Sequence, residues 1–135
     1  MLNRLTDTLN FQGQSLVLRS ERQKLLAGNI ANADTPGYQA RDFNFAQALK
    51  EATGTGGGIG AALETTRAGH IAAATGARAE PNLLYATASQ TNLDRNNVDM
   101  DRERAAFADN GVKYEATLRF INGHVRTMLD AIKGQ

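Results

Sequence analysis

Apolar residues recur every seven positions along the last third of this 135-residue chain. One series consists of Met100, Phe107, Tyr114, Ile121 and Met128, and a companion series consists of Gly111, Leu118, Val125 and Ile132. Two series offset by three or four residues run along one side of an α-helix, where they form the seam of a coiled coil. The pattern therefore predicts a helix over residues 99–133 that pairs with another helix, most strongly beyond Tyr114.

The start of this helix carries its own signals. Asp99 suits the N-cap position, and Asp101 and Glu103 suit the positive end of the helix dipole. Asn110-Gly111 is also typical of a hairpin turn. Because the heptad series continues in register across this dipeptide, we predict a helix there, with a bend as the allowed variation.

The first 31 residues also carry apolar side chains at helical spacing, which predicts a helix over residues 2–31. Leu9, Leu16 and Ile30 lie on one side of it, whereas Leu18 and Leu25 lie nearly opposite. A helix packed within one small domain needs only one apolar face. Two faces predict a sandwiched helix, either within a bundle or between neighbouring subunits, and the shortness of the chain favours the second arrangement.

These patterns give a mainly α fold, in one domain over residues 1–135, whose two long terminal helices pair as a coiled coil. The predicted packing residues are Leu9, Leu16, Leu18, Leu25, Leu26, Ile30, Tyr114, Leu118, Ile121, Val125 and Met128. Aromatic residues make up only 6% of the chain, and Trp is absent. We therefore expect a thin core and limited stability for the isolated chain.

The middle of the chain has a different composition. Residues 32–52 read as a turn and a short amphipathic segment, residues 53–80 as a flexible Gly/Ala/Thr-rich segment, and residues 81–98 as a connector. Seven of the 13 glycines fall within 53–80, which disfavours regular structure. Short β elements are still allowed there, near Leu63–Thr66 and His70–Ala73.

Charge and residue usage argue against several classes of function. The formal net charge is +1, with 15 basic and 14 acidic residues interspersed. The sequence has no basic stripe of the kind that would predict nucleic-acid binding. No apolar run approaches the length of a membrane span, and residues 1–7 do not resemble a cleaved secretory signal.

Chemistry-bearing motifs are equally scarce. There are no cysteines, and neither His70 nor His124 has a partner at helical spacing. The stretch 56–61 fits a dinucleotide-binding pattern only formally, since a strand should precede it. The stretch 94–99 fails as a calcium loop because Asp99 stands where glycine is required. We therefore expect no catalytic, cofactor or metal site, and a protein that is not an enzyme.

One motif remains, at the end of the first helix, where residues 29–38 read NIANADTPGY. Pro36 presets position i+1 of a turn and Gly37 supplies the positive φ of position i+2, which predicts a type II turn. Thr35 precedes proline and therefore cannot extend the helix. Asn29 and Asn32 lie three residues apart, so their amides can bond to the backbone of the loop.

This motif resembles the N-terminal signature of the flagellar axial proteins, the family of rod, hook and hook-associated subunits. The resemblance rests on Asn29, Asn32, Thr35, Pro36, Gly37 and Tyr38. Residues 39–43, 97–103, 107–110, 114, 120–123 and 128–129 are similar to FlgB-type rod proteins in particular. It covers residues 2–52 and 63–134.

The resemblance implies a structural subunit of the proximal rod of the basal body, exported by the flagellar type III apparatus without a cleaved signal. Such subunits form a helical tube across the periplasm that links the membrane ring and export gate to the rest of the rod. The implied partners are further copies, FlgC-like rod subunits and a FliE-like adaptor. A FlgC-like protein and a cytoplasmic coiled-coil adaptor remain as alternatives, the second resting on periodicity alone.

Overall fold

The computed structural model describes residues 2–54, 83–85 and 93–134. In chain order these form α1 (Leu2–Ala31), β1 (Arg41–Asp42), α2 (Phe45–Ala52), β2 (Leu84–Tyr85) and α3 (Met100–Lys133). The predicted mainly α fold with two long terminal helices is confirmed. The predicted β stretches near Leu63–Thr66 and His70–Ala73, and the glycine-rich segment beyond residue 54, lie outside the described residues.

The ends of α3 follow its sequence signals. Asp99 is the N-cap, and its side chain accepts hydrogen bonds from the backbone N–H groups of Asp101 (3.1 Å) and Arg102 (3.2 Å). Gly134 ends the helix with a φ of 72°, a conformation that glycine adopts without strain. Residues 110 and 111 lie within the continuous helix, so the heptad pattern predicted this region correctly and the hairpin signal did not.

The two terminal helices pair side by side in opposite directions. Asn29, near the end of α1, donates to Glu103 in the first turn of α3, with 3.0 Å between Nδ2 and Oε2. Ten residues earlier in α1, the carbonyl of Arg19 accepts from Asn110 Nδ2 at 2.9 Å. Position falls along α1 as it rises along α3, which makes the pair antiparallel.

The opposite side of α1 packs on α2. Leu18, Phe43 and Ala48 form a buried cluster. Partly buried apolar residues surround this cluster, namely Leu25, Phe45, Leu49 and Ala52. The second face of α1 is therefore covered by the chain itself at Leu18 and Leu25, as in the bundle alternative. Phe11, one heptad before Leu18, is 46% exposed, so that face is bare towards the start of α1.

A short antiparallel pairing joins the middle of the chain to this core. Arg41 in β1 lies opposite Tyr85 in β2, and its guanidinium stands 5.6 Å from the centre of the tyrosine ring. Asn44 is the N-cap of α2, and its side chain accepts from the N–H of Gln47 at 3.2 Å. The predicted amphipathic segment within 32–52 thus contains both β1 and α2.

Candidate assembly surface

The turn after α1 has the predicted geometry. Gly37 has a φ of 73°, and the N–H of Tyr38 donates to the carbonyl of Thr35 at 3.2 Å. Together with Pro36 at position i+1, these features make residues 35–38 a type II turn. The N–H of Gly37 also donates to the carbonyl of Asp94 at 2.8 Å, so the turn contacts the segment that leads into α3.

Asn29 is the centre of this region. Its Oδ1 accepts from the N–H of Arg41 (3.0 Å) and from Tyr38 Oη (3.2 Å), while its Nδ2 donates to the carbonyl of Arg41 (2.9 Å) and to Glu103 Oε2 (3.0 Å). The side chain is 1% exposed. A buried amide with all four bonds made is favourable, whereas losing any partner is costly. Asn29 thus joins α1, the turn, β1 and α3 at one point.

Asn32 has a more local role. Its Nδ2 donates to the carbonyl of Gly28 at 2.8 Å, and its Oδ1 accepts from Thr35 Oγ1 at 3.1 Å. The N–H of Thr35 donates to the carbonyl of Asn32 at 3.0 Å. The sequence predicted amide bonds from both asparagines to the loop backbone. Asn29 makes them, whereas Asn32 binds the backbone of its own helix and the side chain of Thr35.

A third asparagine, which the sequence did not single out, completes the region. Asn96 is fully buried, and its Nδ2 lies 3.0, 2.7 and 2.8 Å from the carbonyl oxygens of Asn32, Ala33 and Thr35. These carbonyls follow the end of α1, where the helix itself no longer satisfies them. We call Asn29, Asn96 and the turn 35–38 the hub.

An ion pair that the sequence also missed reinforces the hub. Arg22 donates to both carboxylate oxygens of Asp42, from Nε at 3.0 Å and from Nη2 at 2.7 Å. The hydrogen bond to Asp42 raises the pKa of Arg22 above its usual value, against the opposing effect of burial. The two residues lie 20 positions apart, so no helical spacing could have revealed the pair.

A polar series lies on the side of α3 that faces α1. Glu103, Asn110 and Thr117 are spaced by seven residues and are at most 8% exposed. Asn110 Nδ2 donates to the carbonyl of Arg19 (2.9 Å) and to Gln23 Oε1 (2.6 Å). The sequence prediction followed the apolar heptads and did not include this polar series, although its own seven-residue spacing was visible in the sequence.

The predicted packing residues divide into three groups in the single chain. Leu18 and Leu26 are buried. The partly buried ones are Leu9, Leu16, Leu25, Ile30, Tyr114, Ile121 and Met128. Leu118 and Val125 are 36% and 39% exposed. In α3, α1 thus lies over Tyr114, Ile121 and Met128 and over the polar series, and leaves Leu118 and Val125 at the edge of the contact.

Five of the apolar side chains that α1 leaves exposed on α3 share one side of that helix. Its members are Phe107, Leu118, Val125, Leu129 and Ile132, all between 36% and 82% exposed. Their spacings of 11, 7, 4 and 3 residues place them along one side of a helix. We call this surface the open face. Exposed apolar side chains grouped on one side of a helix are typical of an interaction surface.

Other kinds of site find no support in the described part of the chain. Residues 2–54, 83–85 and 93–134 contain no group of three or more acidic or histidine side chains that could hold a metal ion. None of the helices there is long and apolar enough to span a bilayer.

Comparisons with known proteins agree with the resemblance seen in the sequence. The model of a family described as flagella basal body rod protein matches residues 9–39, which include most of α1 and the turn. The chain is 49% identical over 135 residues to the flagellar basal body rod protein FlgB of Proteus mirabilis (strain HI4320), with 98% of each sequence covered. The FlgB proteins of Salmonella typhimurium (46%, 99% of each) and Escherichia coli K12 (44%, 98% of each) are similar over the same extent.

These relatives are structural proteins of the flagellar basal body and not enzymes. Their similarity extends through both terminal helices and the hub, and is not confined to the turn motif. On this similarity, the chain belongs to the FlgB family of flagellar basal body rod proteins.

Proposed function

We propose that this chain is a subunit of the proximal rod, and that it assembles through its terminal helices into a helical tube across the periplasm. The tube would link the membrane ring and export gate to the rest of the rod. The open face is the observation that carries the proposal, because it leaves apolar side chains of a long helix for neighbouring subunits to cover.

The composition of the open face supports a protein partner. Phe107, Leu118 and Leu129 present large apolar side chains that are 37%, 36% and 49% exposed, and covering the remaining apolar surface contributes about 25 cal/mol per Å². Further copies of the chain and FlgC-like rod subunits are the proposed neighbours along the tube. A FliE-like adaptor is the proposed neighbour at its base.

Export fits the same structure. The buried apolar residues of the described part are few, namely Leu18, Leu26, Ala40, Phe43, Ala48 and Val98. A core of this size gives marginal stability, so unfolding for passage through the type III apparatus costs little. We propose that the chain leaves the cytoplasm by this route without a cleaved signal, and that the helices gain stability when neighbours cover them.

The proposal is tested by introducing a charge on the open face. In a strain that lacks its own copy of this subunit, Leu118→Asp should abolish swimming and leave no rod in basal bodies viewed by electron microscopy. Leu118→Met is the conservative control at the same position. Thr127→Asp is the matched charge control, since Thr127 is exposed and lies on the other side of α3.

The outcomes separate the proposal from the adaptor alternative. Both controls should swim, and circular dichroism should show equal helix content in all three purified chains. Normal swimming with Leu118→Asp would contradict a role for the open face in the rod. Retention in the cytoplasm as a discrete oligomer, seen by fractionation and light scattering, would favour the adaptor.

A further inference from the structure

The apolar pattern of α3 does not by itself define the register of α1 against α3, that is, which residues of the two helices lie opposite each other. Tyr114, Ile121 and Met128 repeat at intervals of seven residues. Sliding one helix past the other by a heptad, which is about 10 Å, brings a similar apolar row opposite α1. Repetitive apolar seams therefore permit alternative registers unless another feature excludes them.

The polar contacts between α1 and α3 do not repeat in this way. Glu103 bonds to Asn29, and Asn110 bonds to the carbonyl of Arg19 and to Gln23 Oε1. A one-heptad slide in either direction separates all of these partners. Asn110 is 1% exposed and both of its bonds go to α1, so the slide would leave its buried amide without partners, which is unfavourable. Asn29 would lose its bond to Glu103 and keep its bonds to Arg41 and Tyr38.

Asn110 also carries an energetic cost in the observed register. Its Oδ1 is buried and has no hydrogen-bond partner within the described part of the chain. A residue retained for stability alone would be better replaced by an apolar side chain of similar volume. The established use of a single buried asparagine in a coiled coil is to specify register at the expense of stability.

We infer that Asn110 is a positioning residue that, together with the bond between Asn29 and Glu103, fixes the register of α1 against α3. This inference rests on the proposed function, because the register determines where along the subunit the open face is presented to neighbours. A one-heptad error would displace α3 by about 10 Å along α1. A subunit with that error could not match neighbours in the correct register.

The absence of cysteine makes the register measurable by spin labelling. Cysteines at Asn10 and Ala105, both exposed, place two labels far apart along the antiparallel pair and outside its interface. Double electron–electron resonance on the purified full chain should give one distance for the parent. Asn110→Leu should add a second population, shifted by about 10 Å, with thermal stability unchanged or increased.

Two further variants keep the result interpretable. Asn122→Leu makes the same substitution at an exposed position of α3 and should retain the single distance. Asn110→Ala removes the amide without adding bulk and should also give two distances. A single distance in both Asn110 variants would overturn the inference, as would loss of helix content in both, since Asn110 would then serve folding and not register.

The rod assay remains independent of this measurement. Asn110→Leu should abolish or strongly reduce swimming, and normal swimming by it would overturn the proposed link from register to assembly. If Leu118→Asp swims normally while Asn110→Leu shows two distances, the proposed function fails and the register role of Asn110 stands.

Discussion

One end of the helical pair buries polar side chains, whereas the other end exposes apolar ones. At the hub, Asn29 and Asn96 are at most 1% exposed, and each makes several hydrogen bonds. Along the second half of α3, Val125, Leu129 and Ile132 are 39%, 49% and 82% exposed. In an ordinary globular domain the amides would be outside and the aliphatic side chains inside.

The difference indicates which contacts the chain makes alone and which it leaves to others. Hydrogen bonds between buried amides are directional, so the hub accepts one arrangement of helix, turn and strand. Apolar burial is not directional and grows with area, so the open face can supply binding free energy without defining geometry. Geometry is set within the subunit, and under the proposed function affinity comes from its neighbours.

The largest effect is expected from Asn29→Asp. The carboxylate loses both donor contacts of the amide and places a negative charge beside Glu103. Breaking a buried polar contact in this way should cost about 3–5 kcal/mol, measured by urea denaturation of the purified chain. Asn10→Asp makes the same change on the exposed side of α1 and should cost less than about 0.5 kcal/mol. Equal effects at the two positions would contradict the role of the hub.

A pair of leucine truncations compares the two ends directly. Leu26 is 1% exposed and Leu129 is 49% exposed. Leu26→Ala should lower the free energy of unfolding by about 2–5 kcal/mol, whereas Leu129→Ala should change it by less than about 0.5 kcal/mol. Rod assembly should show the reverse ranking once the stability loss is allowed for, because Leu129 belongs to the open face. A large stability loss at Leu129 would show that α1 covers this end.

Two glycine substitutions should act in opposite directions. Gly37 has a φ of 73°, and a Cβ there would meet no neighbour, so Gly37→Ala should cost about 1–2 kcal/mol through backbone strain alone. Gly13 lies within α1, also with open space around it, so Gly13→Ala should stabilise by about 0.5–1 kcal/mol. Thermal unfolding followed by circular dichroism measures both, and stabilisation by Gly37→Ala would contradict the turn geometry.

The smallest effect is expected at the ion pair between Arg22 and Asp42. Arg22→Lys keeps the charge but loses the two-pronged contact, and since both side chains are partly exposed the cost should be about 0.5–1 kcal/mol. Arg119→Lys affects an exposed pair with Glu115 on α3 and should have no measurable effect. A loss at Arg119 matching that at Arg22 would remove the distinction between the two ends.

Local patterns predicted the long elements of this fold because their causes are local. Heptad spacing predicted the α3 helix, and Asp99 was correctly predicted as its N-cap. Pro36 and Gly37 restrict their own backbone angles, so the turn could be derived without knowing its surroundings. The two apolar faces of α1 were also visible in the sequence. The shortness of the chain favoured neighbouring subunits as the cover of the second face, whereas the structure shows α2 there.

The hub could be predicted only in part. The bonds from Asn29 to Arg41 connect residues 12 apart, and those from Asn96 to the end of α1 connect residues more than 60 apart. No periodic pattern encodes contacts at such separations, and a buried asparagine looks like an exposed one in a sequence. The open face was recognised as apolar, but the sequence could not show that α1 leaves it uncovered.

The hydrogen bonds made by Asn96 also affect how this chain can change during evolution. Asn96 bonds to the carbonyls that follow α1, and β1 pairs with β2, so both ends of the intervening segment are fixed at the same place. For a segment closed in this manner, doubling its length costs only about 0.6 kcal/mol in a flexible-loop description. Insertions between residues 55 and 82 should therefore leave the helical pair intact and the register of its helices unchanged.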